Sequence, residues 1–128
     1  MPDASRLLYR LERWANRGYN GEPIATIGLY GPDAARASKI SLGVGARRGE
    51  LDIIGRWISD NIDIRQRADI LAEIIGILES RGVLSLAFPA PILGCPHEEG
   101  PDYPIGSSCP KCPYWAGRPR PIDGHGDM

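Results

Sequence analysis

The residues best suited to chemistry lie between positions 95 and 112, which hold all three cysteines and one of the two histidines of the chain. Cys95-x-His97, eleven intervening residues, then Cys109-x-x-Cys112 offers three thiols and an imidazole, a ligand set that a tetrahedral Zn²⁺ takes up in structural sites. Thiolate and imidazole donors select zinc over hard cations such as Mg²⁺ or Ca²⁺. Four protein ligands would close the site and make it structural rather than catalytic. The intervening segment is Pro, Gly, Asp, Glu and Ser with one Ile and one Tyr. It has too little apolar surface to fold by burial, whereas a structural zinc contributes ~10–16 kcal/mol to ordering such a peptide.

Two other metal chemistries use similar residues. His97-Glu98-Glu99 with Cys109-x-x-Cys112 contains the elements of a zinc deaminase signature, with Glu99 as proton shuttle. There the two halves open separate helices with a strand between them, and residues 100–108 leave no room for that; Ser108 also stands where a proline is expected. A [2Fe–2S] cluster is the alternative cofactor, since three Cys and one His hold one in CDGSH-type proteins. The ligand order there is C-x-C first and His last, unlike this chain. If His97 were not a ligand, a Cys₃ zinc with a bound water would perform hydrolysis assisted by Glu98 or Glu99. His125, in a Gly-Asp tail, reads as solvent-exposed.

The scaffold for this segment is a soluble chain of 128 residues, 42% hydrophobic and 24% charged, with net charge −1. Bulk charge therefore favours neither nucleic acid nor membrane. No run approaches the ~18 apolar residues of a membrane span, and the start shows no secretory signal. An odd cysteine count with a C-x-x-C pair reads as reduced thiolates on a metal, which points to the cytoplasm.

Residues 5–17 predict a helix capped by Asp3 or Ser5, with Leu7, Leu8, Leu11, Trp14 and Ala15 on one face. Arg6, Arg10, Arg13 and Arg17 share the other, either as a solvated face or as a contact surface for an acidic partner or nucleic acid. Residues 22–30 and 37–44 read as strands joined at Gly31-Pro32-Asp33. The run from Gly43 to Gly49 has glycines and two arginines but neither phosphate-loop spacing, and reads as a hairpin turn. Residues 51–58 are ambiguous between strand and helix, with β-branched and aromatic content favouring strand. A capping box from Asp63 to Gln66 opens a helix reaching Arg81. Gly76 inside it suggests close packing, and Gly82 a C-terminal cap. Residues 83–88 form a further strand before Pro89 and Pro91 bar pairing. Strand, helix, strand places this helix on one sheet face through a right-handed crossover.

The expected fold is α+β: a small, mostly antiparallel sheet, one long packing helix, an N-terminal amphipathic helix and a C-terminal zinc knuckle. Its units are residues 1–20 (basic helix), 21–93 (core), 94–117 (zinc-binding module, packed on the sheet by Tyr103, Ile105, Tyr114 and Trp115) and 118–128 (disordered tail).

The run GCPHEEGPDYPIGSSCPKCPYWAGR, with YGPDAARASKI upstream, resembles a group of small bacterial proteins with a YGPDD…TK hairpin and a GCPHEEG…DYP…CPxCPFW ending. The resemblance spans roughly Ala25 to Arg118. It implies a bacterial origin and the same Cys95, His97, Cys109, Cys112 site, and carries no reaction. With no nucleophile–base pair or nucleotide loop in view, the expected function is a zinc-stabilised module that binds another macromolecule, a protein in the first instance. Its candidate surfaces are the Arg6, Arg10, Arg13, Arg17 face and the set Glu98, Glu99, Tyr103, Trp115, with Lys111 beside them. A metal-dependent hydrolase and a nucleic-acid binder using the arginine face are the alternatives.

Overall fold

A computed structural model of the chain describes residues 3–46, 50–98, 101–105, 110 and 112–115. The elements run α1 (Ala4–Asn16), β1 (Ile24–Tyr30), β2 (Lys39–Gly45), β3 (Asp52–Ile58), a 3₁₀ turn (Ile64–Gln66), α2 (Ala68–Ser80), β4 (Ser85–Ala87) and a second 3₁₀ turn (Pro113–Trp115). The strands form one mixed sheet in the order β3-β2-β1-β4. β1, β2 and β3 pair antiparallel, and β4 lies parallel to β1. Residues 51–58, ambiguous in sequence, are a strand from Asp52 onward.

Alternation along the strands sorts their side chains between two faces. Ile27, Leu29, Ile40 and Leu42 point to one of them and join Leu7 and Leu11 of α1 and Ile70, Leu71, Ile74, Ile75 and Leu78 of α2 in a single core. The helix that begins the chain is therefore docked by the apolar stripe its spacing predicts. Asp3 caps it, Oδ1 accepting from the Arg6 amide at 3.0 Å. Gly28, Tyr30, Lys39, Ser41 and Arg56 fall on the opposite sheet face, away from α1 and α2.

Three local expectations are corrected. Asp63 caps only the 3₁₀ turn, because Arg67 is extended (φ −93, ψ 94) and breaks the helix before α2 starts at Ala68. Gly76 does not mark close packing: nothing lies within 4 Å of where its Cβ would stand, and it is exposed. The strand expected over residues 83–88 pairs only from Ser85 to Ala87. Gly82 does end α2 in the left-handed region (φ +65).

The loop between β1 and β2 is held by side chains. Asp33 Oδ1 accepts from the amides of Ala35 (2.8 Å) and Arg36 (3.0 Å). Asp63 reaches across, accepting from the Ala37 amide at 3.0 Å and from the Arg65 guanidinium at 2.6 and 2.8 Å. Burial raises the Asp63 pKa, but these donors outweigh it and bring the carboxyl from its ordinary 3.8 to about 2. Gly31 approaches the same loop so closely that a Cβ there would stand 1.8 Å from the Arg36 carbonyl oxygen. Only glycine fits, and the bend it permits delivers Lys39 to the start of β2.

Candidate metal centre

The segment that carries the cysteines and His97 enters along the sheet. After β4 the prolines interrupt pairing, and the chain bulges outward with Ile92 returning to the core. Alignment with β1 then resumes: the Leu93 amide donates to Leu29 O at 2.7 Å and the Gly31 amide to Gly94 O at 2.9 Å. Cys95 follows directly, so its position is set by main-chain bonds to the end of β1.

Cys95, His97 and Cys112 converge. One donor atom from each lies within 4.8 Å of the others, and both cysteines are 3% exposed. His97 Nδ1 is 3.5 Å from Cys112 Sγ. Two ligands at zinc–nitrogen and zinc–sulfur bond lengths and a tetrahedral angle would sit about 3.5 Å apart, so this spacing fits a shared ion. The donor set also fits a soft or borderline metal, being two buried thiols and a half-buried imidazole. Cys109, the fourth expected ligand, lies outside the described residues, as do Glu99, Lys111, residues 47–49 and the tail from 116 onward. Tyr103 packs inward with the two cysteines in a small apolar cluster of its own. Ile105, expected to help pack the module on the sheet, is 83% exposed instead.

An ionic brace fastens this segment to the open sheet face. Lys39 Nζ donates to the Pro96 carbonyl and to Glu98 Oε2, both at 2.8 Å, and its side chain is only 8% exposed. Arg56 on β3 holds the same carboxylate from the other side, through Nε at 2.6 Å and an amino nitrogen at 3.2 Å. The Lys39 hydrogen bond lowers the Glu98 pKa most; burial opposes it, and Arg56 lowers it further. The Glu98 amide donates to Asp102 Oδ2 at 2.6 Å, and the Asp102 amide to Glu98 O at 2.8 Å, closing the turn between them. Sequence reasoning passed over Lys39 and Arg56. The one available signal was a lysine at an alternating strand position facing away from the core.

A pocket of ≈ 270 Å³ opens between the brace and the sheet, lined by Tyr30, Ser41, Ile53 and Arg56 with Cys95 and His97. The proposed contact residues divide. Glu98 is bound within the brace and Tyr103 is buried, while Arg6, Arg10, Arg13 and Arg17 remain at the surface of α1.

Comparison with models of known protein families, with curated proteins and with solved structures finds no match. No helix among the described residues is long and apolar enough to cross a membrane.

Proposed function

We propose that the chain is a zinc-stabilised interaction module, a small bacterial protein in which Cys95, His97 and Cys112, with Cys109 as fourth ligand, hold one Zn²⁺ that orders the C-terminal segment. The observation that carries this reading is the convergence of two buried thiols and an imidazole at one point beside the sheet. When bound, the ion supplies cross-linking of the segment. Lys39, Arg56 and Asp102 hold its first turn in register. The state of Glu98 weighs against that residue as the assisting base of the hydrolytic alternative; Glu99, the other candidate, lies outside the described residues. A general base works best with a pKa near the operating pH, whereas two cations hold the Glu98 carboxylate in its ionised form.

The test is elemental analysis of chelator-free protein together with X-ray absorption at the metal edge. One zinc per chain with a sulfur-rich, four-coordinate shell is expected. An oxygen ligand in the shell would favour the hydrolase, bridged iron with inorganic sulfide would favour the cluster, and no stoichiometric metal would end the proposal.

A further inference from the structure

Glu98 and Tyr103 are engaged within the chain, whereas the helical side presents charged side chains at the surface. α1 and α2 enclose between them a groove of ≈ 450 Å³ lined by Arg10, Arg13, Trp14, Arg17, Ile75 and Glu79. Three guanidinium groups against one carboxylate leave two surplus positive charges. Arg10 is the one that is balanced, its guanidinium 3.0 Å from Glu79. Arg13 stacks over the Tyr9 ring at 5.9 Å and Arg17 over the Trp14 ring at 5.7 Å; among the described residues neither has a carboxylate partner. Tyr9 beside them is 59% exposed.

We infer that this groove docks an acidic amphipathic helix of a partner protein, an inference that rests on the interaction-module reading above. Arg10, Arg13 and Arg17 form a row about 10 Å long at the helical rise per residue. Carboxylates spaced three and four apart on an opposing helix match that row. Apolar side chains on the same helix then reach the half-buried Trp14 between the guanidinium groups. Arg, Tyr and Trp are the residue types in which binding energy concentrates at protein interfaces. Nucleic acid fits less well. The chain has a pI of about 6.1 and net charge −1. A polyanion longer than the groove would therefore meet surface that does not attract it, while a short acidic helix feels mainly the local field within a Debye length of about 8 Å.

The experiment uses the full metal-loaded chain and fluorescence anisotropy at physiological salt. The probes are a labelled helical peptide with glutamate and leucine at helical spacing, the same peptide with lysine for glutamate, and a single-stranded oligonucleotide. Binding of the glutamate peptide is expected, with roughly tenfold or greater weakening by Arg13→Glu/Arg17→Glu. Arg13→Gln/Arg17→Gln serves as a second variant that adds no like charge next to Glu79. Equal binding of the lysine peptide, no binding by wild type, or indifference to both double variants overturns the proposal. Oligonucleotide binding that is tighter than peptide binding and lost in the variants replaces the partner by nucleic acid. Zinc content is measured on the same samples: full zinc without peptide binding sinks the groove alone, and peptide binding without zinc sinks the metal reading alone.

Discussion

On the helix-covered face, Leu11, Ile27, Leu29, Ile40, Leu42, Leu71, Ile74 and Leu78 are each at most 1% exposed. At the end of β1, the neighbouring segment gathers, among the described residues, Cys95, Tyr103 and Cys112. A fully buried Leu or Ile contributes roughly 1.5–3 kcal/mol, so the first region is held by apolar burial. Three side chains cannot do the same for a stretch rich in Pro, Gly and acid. That stretch relies instead on main-chain bonds to β1, the Lys39–Glu98–Arg56 brace and the proposed ion. Neighbouring parts of one sheet thus depend on different physics, and they should fail separately.

Chelation tests the separation most severely. Removing zinc should abolish hydrogen-exchange protection of the Leu93, Glu98 and Asp102 amides, which are hydrogen-bonded in this segment, while α1, α2 and β1 to β3 keep theirs. The metal term is on the order of 10 kcal/mol and local to that segment. Global unfolding on chelation would mean that the helical core does not stand alone.

Leu71→Ala is the reverse cut. It should cost about 2–5 kcal/mol of global stability in denaturant titrations, through the lost burial and the cavity it leaves. Zinc stoichiometry under native conditions should be unchanged.

Lys39→Met probes the joint between the regions. It keeps most of the apolar stem, one atom shorter, and removes both hydrogen bonds to the turn at Pro96 and Glu98. Competition against a chromophoric chelator should show zinc affinity falling by roughly 10- to 100-fold, the usual effect of losing support around metal ligands. Unchanged affinity would reduce the brace to a surface ion pair.

Asp63 gives a pH signature belonging to the scaffold alone. Its folded pKa of about 2 lies below its ordinary 3.8, so its contribution is complete above about pH 5 and is lost as pH falls towards 2. Solvent screening limits the size to on the order of 1 kcal/mol. Asp63→Asn should lower stability at neutral pH and flatten this acid limb in pH-dependent thermal melts.

The smallest effect is a gain. Exposed Gly76 has nothing near its absent Cβ, so Gly76→Ala should stabilise α2 by about 0.5–1 kcal/mol, visible as a raised melting temperature with zinc affinity unaltered.

Patterns with a short period were legible in the chain itself. The leucines of α1, the alternation in β2, the apolar face of α2 and the Gly82 cap all depend on neighbours within a turn or a few residues, so spacing alone carried them. The cysteine and histidine pattern likewise singled out Cys95, His97 and Cys112, which the fold brings together as a group that could hold a metal ion. Tertiary structure decided what distant residues do to one another. Glu98 was read as part of a presented surface, but Lys39 and Arg56 come from strands far away in sequence and bind it. Tyr103 looked available, but the fold turns it towards the cysteines. Parallel pairing of Leu93 and Gly94 with β1 brings Cys95 to Cys112, and no local rule encodes that pairing. Local chemistry chose the candidate ligands and the elements, whereas the closing of long loops chose which charges and side chains stay at the surface.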